Sequence, residues 1–227
     1  MNKFVCILKT GGDYGIEHVE ILHRMAKNSL PRMDEFICYT DAGELPIEGV
    51  TSKPLRYNLP GRYSMLEAFW ETGKVIVTGL DTIFIGTGLD KVWDVLDDTG
   101  SNEFYMIKPF RPRAKREFIN GVMAWNGDWT KLITDYKPEF CLPFRMEMSC
   151  TVFKLKQFGA KIRPLDDFIR IGSYKYGHRN DQRSPNLDVL CFHGTPRPHE
   201  VKNRWIVKLY AWQGKEYEST ETSRLAM

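Results

Sequence analysis

Three apolar runs limit what this chain can fold into more than any other feature: FVCIL at 4–8, EFICYT at 35–40 and KVIVTGL at 74–80. Each is short and apolar at consecutive positions, not at alternate ones. A strand with one wet face alternates. A strand apolar at both parities is covered on both faces, as in a parallel sheet held between helices. The intervening sequence supplies the helices. In GIEHVEILHRMAKNSL the apolar positions Ile16, Val19, Leu22 and Met25 recur at helical spacing, with Pro31 just beyond. SMLEAFWETG predicts a helix stopping at Gly73, and GLDKVWDVLDD a short one. The first hundred residues therefore read as an α/β unit, strand–helix–strand–loop–helix–strand. Sheets of this kind gather ligands beyond the carboxyl ends of their strands. Here those ends are Lys9–Asp13, Thr40–Asp41 and Thr78–Asp81, three distant pieces of sequence expected at one rim.

The second half is less regular. EFYMIKPF (103–110) and GVMAWN (121–126) predict strands of a mixed sheet, and CTVFKLKQFG (150–159) a helix. IRIGSYKYGHRNDQRSPN is long and polar, DVLCFHG is another strand, and PRPHEVKNRWIVKLYAWQ leads to a late helix. No linker or repeat divides the chain, and 227 residues suit a single core. One domain over 1–212 is expected, with 213–227 a flexible tail. No apolar run approaches the roughly 18 residues of a membrane span. Phe4–Leu8 reads as a strand, not a signal peptide.

Five cysteines (Cys6, Cys38, Cys141, Cys150 and Cys191) show no metal-knuckle spacing. Three lie inside apolar runs, as small core residues do. A reducing compartment is expected: the cytoplasm, a host's if the chain is viral. Charge is uneven. Residues 1–100 hold 10 Lys/Arg against 15 Asp/Glu, and 101–227 hold 22 against 14. The basic half suits an anionic partner such as a phosphorylated ligand or nucleic acid.

Four segments carry chemistry. KVIVTGLDTIFIG ends a buried strand on Asp81, which is either a cap for nearby N–H groups or a ligand. Thr78, Gly79 and Thr82 flank it with hydroxyls and open space, and hard divalent cations want oxygen donors. DVLCFHGTPRPHE delivers His193, Gly194 and Arg197 at another strand end: imidazole for metal or phosphate, a glycine permitting close approach, and a planar guanidinium fork. KTGGDYG (9–15) lets the backbone pass close to a ligand but lacks the dinucleotide fingerprint. REFINGVMAWNGDW offers Asn120–Gly121, then Asn126 and Asp128, as amide and carboxylate grips for sugar hydroxyls. KPFRPRAKR (108–116) has five basic residues in nine, a solvated loop or a clamp for an anionic acceptor. His18 and His23, in the first helix, read as surface or packing residues and not as catalytic ones, and no serine-nucleophile motif occurs.

Taken in order, VCILKTGGDY, RYSMLEAF, VIVTGLDTIFIG, INGVMAWN and CFHGTPRP resemble the GT-A nucleotide-sugar glycosyltransferases, most closely the glycogenin and galactosyltransferase-like retaining group and its small phage and bacterial relatives. The resemblance runs from residue 3 to about 200. It implies a Rossmann-like fold with a mostly parallel central sheet, and sugar transfer from a nucleoside-diphosphate sugar, UDP-linked by preference. Asp81 would match the second aspartate of the family's Asp-x-Asp motif and His193 a third protein ligand, together holding Mn²⁺ (or Mg²⁺). Lys9, Thr10, Gly11, Asp13 and Tyr14 would lie by the nucleotide. Arg62, Thr78, Gly79, Leu80, Gly194 and Arg197 would border the diphosphate, and Asn120 and Gly121 the donor sugar. Asp81, Asn120 and Arg197 would be catalytic.

The chain departs from that pattern at informative places. Gly79 stands where the first aspartate belongs, which removes one oxygen ligand and one negative charge. Met65 stands at a position frequently basic, with Arg62 three residues earlier, and His199 stands where a tryptophan often follows. No residue offers itself as a covalent nucleophile, so retention implies attack on the face the leaving group departs from. The acceptor is open: a saccharide, a small molecule, or a modified base in DNA as for some phage relatives. A non-catalytic binding or scaffold protein on the same fold is the competing reading, and a sugar nucleotidyltransferase a further one.

Overall fold

Strand β1 (Asn2–Leu8) shows why its run is apolar at both parities. Phe4, Cys6 and Leu8 enter one core and Val5 and Ile7 the other, because successive side chains of a strand point to opposite faces. The computed structural model describes residues 1–210 except 58, 101, 112, 115, 135–146 and 182. The expected tail at 213–227 lies outside the described residues.

Among these, β2 (Glu35–Thr40), β3 (Val50–Pro54), β4 (Lys74–Thr78), β6 (Glu103–Ile107), β7 (Ile119–Trp125) and β8 (Lys161–Pro164) join β1 in a seven-stranded sheet of order β3-β2-β1-β4-β7-β6-β8. Only β7 runs against the rest, pairing antiparallel with both β4 and β6. A second sheet, β5-β10-β9, is built from β5 (Thr82–Phe84), β9 (Ile171–Ser173) and β10 (Val189–Cys191). The fold is mixed α/β, with a largely parallel central sheet flanked by helices.

One core packs α1 (Ile16–Ser29) and α2 (Val92–Asp97) with the small sheet, through Val19, Leu22, Trp93, Leu96, Ile83 and Leu190. The other packs a helical segment at Gly61–Trp70, α3 (Lys131–Thr134) and α4 (Glu147–Gln157), through Leu66, Phe69, Leu132 and Leu155. The helix expected at 150–159 is α4. It ends as the sequence suggests, with Gly159 at φ 75° and Ala160 N–H donating back to Leu155 O at 2.9 Å. A final helix, α5 (Arg204–Tyr210), supplies the late one.

Gly61–Trp70 differs from expectation, being 3₁₀ and not an α-helix. Ser64, Leu66, Glu67, Ala68 and Phe69 are all buried, so no single apolar stripe favours 3.6 residues per turn. Glu67 is buried because its carboxylate accepts from Arg56 N, Tyr57 N and Trp70 Nε1 at 3.1, 2.8 and 2.9 Å, tying the incoming loop to this segment. Cys6, Cys38 and Cys191 are free and buried, as expected, but Cys150 is disulfide-bonded, which departs from an all-reduced chain. Cys141 lies outside the described residues. No helix among the described residues is long and apolar enough to cross a membrane.

Candidate functional site

The site follows from strand order. From β1 the chain moves outward to β2 and β3, then returns to place β4 on the other side of β1. That reversal leaves a crevice beyond the carboxyl ends of β1 and β4. Because β7 is antiparallel, it begins where they end. Thr78 pairs with Val122, so Asn120 and Gly121 flank the turn that follows β4. Strand β6 ends opposite Ile119, which launches the basic 108–116 segment from the same rim. The ladder between β5 and β10 pairs Thr82 with Cys191, and Phe192 N–H donates to Asp81 O at 2.9 Å, which fixes His193 close by.

These segments enclose a cleft of about 1360 Å³. Lys9, Thr10, Gly11, Asp13, Tyr14, Arg62, Gly79, Leu80, Asp81, Asn120, Gly121, His193, Gly194 and Arg197 all line it. Thr78 does not. It is fully buried, and its Oγ1 has no hydrogen-bond partner among the described residues, so it lies beneath the cleft and not on it. Asn126 and Asp128 do not reach the cleft either. Asn126 donates to Leu96 O at 2.9 Å, and Asp128 accepts from the N–H and Oγ1 of Thr130 at 2.9 and 2.7 Å, so both are structural.

The 9–14 loop is held from the end of β2. Asp41 accepts from Thr10 N at 2.8 Å and pairs with Lys9 Nζ at 2.9 Å. Burial is the largest single influence on the Asp41 carboxyl and pushes it up, but the bonds from Lys9 and Thr10 together outweigh it and bring it down to about 2. Gly11 has φ 79°, a turn that strains other residues. Across the cleft Arg197 pairs with Asp13 and lies over the Tyr14 ring, 5.4 Å from its centroid. Behind Tyr14, Gly15 N–H donates to His18 Nδ1, so His18 Nε2 carries the proton that it shares with His199 Nδ1 at 3.1 Å. His18 and His199 thus brace Tyr14, whose ring meets both edge-on. Burial, then the Asp81 charge, push the Tyr14 phenol and the Cys191 thiol up, so both stay protonated and Cys191 is no nucleophile.

His193 is tightly held. Its Nε2 shares a 2.7 Å hydrogen bond with Ser173 Oγ, and its ring stacks between Phe110 (5.4 Å, 9°) and Tyr176 (5.2 Å, 28°). Burial, with the charges of Lys175 and Arg111, pushes its pKa down, so it is a neutral imidazole at neutral pH. Phe110, Ser173 and Tyr176 carry no motif; the sequence alone held no signal for them.

Do these residues fit a divalent cation? Asp81 and His193 are two donors from adjacent strand ends. Among the described residues no group of three His, Cys, Asp or Glu side chains is placed to hold a metal. A Cβ at Gly79 would stand 2.5 Å from Asp81 Oδ1, so the Asp81 carboxylate lies over the space a side chain at 79 would use. His193 Nε2 is committed to Ser173. Among the described residues, the protein's own side chains do not complete a metal site.

No protein-family model and no curated protein sequence matches this chain. Solved structures do match in shape. The chain is similar to the galactosyltransferase LgtC in complex with donor and acceptor sugar analogues (TM-score 0.64, 11% identity, 95% of this chain, 98% of that one). It is similar to the glycosyltransferase GlyE of Streptococcus pneumoniae TIGR4 (0.61, 16%, 94% of this chain), of which it spans 61%. It is also similar to a glycosyltransferase involved in glycosylation of the major capsid of PBCV-1 (0.54, 11%, 93% and 99%). At these identities the likeness is one of fold, the Rossmann-like GT-A architecture.

Proposed function

We propose that this chain transfers a sugar from a nucleoside-diphosphate sugar, UDP-linked by preference, to an acceptor hydroxyl, with retention at the anomeric carbon. The observation that carries this reading is convergence. Five separated segments meet in one cleft at the switch point of the sheet, bringing Asp81, Asn120, His193 and Arg197 together. The fold shared with solved glycosyltransferases supports it.

In this reading the nucleotide lies along Lys9–Tyr14, where backbone turns at Gly11 and an aromatic ring is braced from behind. The diphosphate lies beside Gly194 and Arg197. As the anomeric C–O bond breaks, its electron pair passes to the diphosphate oxygen. Arg197, permanently charged and fork-shaped, stabilises that developing negative charge. The acceptor oxygen bonds to the anomeric carbon from the same face, and its proton passes to the departing diphosphate. Asn120, buried at the cleft wall, orients the donor sugar. Asp81, beside Arg197 and Tyr14, sets the position of both and repels misplaced phosphate. Among the described residues, Asp81 and His193 are the ones that would hold Mn²⁺ or Mg²⁺, and no step above depends on it.

A screen of nucleotide sugars, with and without Mn²⁺, read as release of nucleoside diphosphate, tests the proposal before any acceptor is known. Hydrolysis of at least one donor, lost in Arg197→Ala, is expected. No turnover and no binding of any donor would contradict it.

A further inference from the structure

Arg111 is the cleft residue with the most unexplained placement. Its guanidinium caps a stack of rings: Arg111 Cζ lies 4.9 Å from the Tyr176 centroid, Tyr176 stacks on His193, and His193 on Phe110. All four line the cleft. The stack fixes a permanent positive charge on the His193 side of the crevice, and Arg197 lies over the Tyr14 ring. Lys9 is paired with Asp41 and Arg197 with Asp13, whereas Arg111 has no ion-pair partner among the described residues. It is exposed, so its N–H donors are open to a ligand.

The same place is short of metal ligands. Gly79 brings no carboxylate, Asp81 lies over the vacant position, and His193 Nε2 is held by Ser173. A pyrophosphate entering here meets more fixed positive charge than carboxylate. Lys9, Arg62, Arg111, Arg113, Arg116 and Arg197 line the cleft against Asp13 and Asp81. A guanidinium grips phosphate bidentately and needs no ligand shell of its own.

We propose that Arg111, presented on the aromatic stack, supplies the positive charge beside the diphosphate that a carboxylate-held cation would otherwise supply, so that nucleoside diphosphates bind this chain without a divalent metal. The inference rests on the donor-site reading above and assigns to Arg111 a role other than contact with the acceptor.

Calorimetric titration of the full chain with UDP, GDP and dTDP, each in EDTA and in Mn²⁺, tests it. At least one nucleotide is expected to bind in EDTA with a Kd within about threefold of its value in Mn²⁺. Arg111→Ala should weaken binding in EDTA about tenfold or more, as loss of one charge-assisted contact does. Arg111→Lys should recover part of it, and uridine, lacking phosphates, should not distinguish the variants. Thermal unfolding of each variant at the parent temperature shows that the fold is kept, as expected for an exposed loop residue. Binding only with Mn²⁺, or Arg111→Ala binding like the parent, would overturn the inference and leave the donor site standing. No nucleotide binding in either buffer would overturn the donor site itself.

Discussion

Strand β4 has a carboxylate beyond each end, and the two live under opposite conditions. Glu71, before its amino end, is 3% exposed and surrounded: Tyr39 Oη donates to it at 2.7 Å, Lys3 Nζ at 2.9 Å and Lys53 Nζ at 2.5 Å. Asp81, beyond its carboxyl end, stands half-buried on the wall of an open cleft, within electrostatic reach of Tyr14, Arg197 and Tyr210. Charge at the amino rim is neutralised inside the protein. At the carboxyl rim the carboxylate lines a cleft that a ligand can fill. The strand is the same; what differs is that β1 and β4 diverge to opposite connections only at the carboxyl side, so packing cannot close it.

Removing each carboxylate should therefore break different properties. Glu71→Leu leaves two lysines beside a buried phenol and is expected to cost about 3 kcal/mol of stability, the low end for breaking a buried pair because the lysines are partly exposed. Thermal or urea unfolding measures it. Asp81→Asn should change stability by less than about 1 kcal/mol while lowering donor turnover about 100-fold, as misplacement of the groups it positions, Arg197 and Tyr14, does. A variant at 81 that unfolds as readily as the one at 71 would erase the contrast.

Gly79→Asp sharpens the comparison from the other direction. The new Cβ meets Asp81 Oδ1 at 2.5 Å, so the Asp81 carboxylate must turn away, leaving two carboxylates at one turn. Mn²⁺ affinity in the absence of nucleotide should rise about tenfold or more, read by calorimetry. The smallest effect is on pH. Burial pushes the Glu71 carboxyl up, but bonds from Lys53, Tyr39 and Lys3 outweigh it and hold it below its ordinary value; Asp41 is likewise depressed, to about 2. Groups with depressed folded pKa values contribute stability that is complete above the unfolded value, roughly 4, and is lost as pH falls through the folded value. Stability should be flat above about pH 7, fall as pH drops below the ordinary histidine value of 6.5 because buried His193, His18 and His23 resist protonation, and decline further below about pH 4. That last decline should be shallower in Glu71→Gln, which has one depressed carboxyl fewer.

Much of this was legible in the residues, for a physical reason. β1, β2 and β4 are central and covered on both faces, so FVCIL, EFICYT and KVIVT could be read as buried parallel strands. The rim followed, because Asp81 is the first charged group and His193 the first basic group after apolar runs that end there. The edges were not legible. β3 (VTSKP) buries only Val50, β8 (KIRP) buries no residue fully, and β9 is three residues long, so none carries a strand's periodicity. Nor was the ring stack, since Phe110, Tyr176 and His193 come from three segments joined only by the tertiary fold, and an isolated tyrosine in a polar stretch gives no sign of its partner. The half-site at Gly79 was visible as a missing carboxylate. That the Asp81 side chain covers the gap needed coordinates.

Whether the Asp81 rim receives a nucleoside diphosphate is decided by a crystal structure with UDP. Diphosphate oxygens are expected within hydrogen-bond distance of Arg197, with the nucleoside along Lys9–Tyr14. A nucleotide seated outside this cleft, or a cleft that stays empty at millimolar UDP, would contradict it.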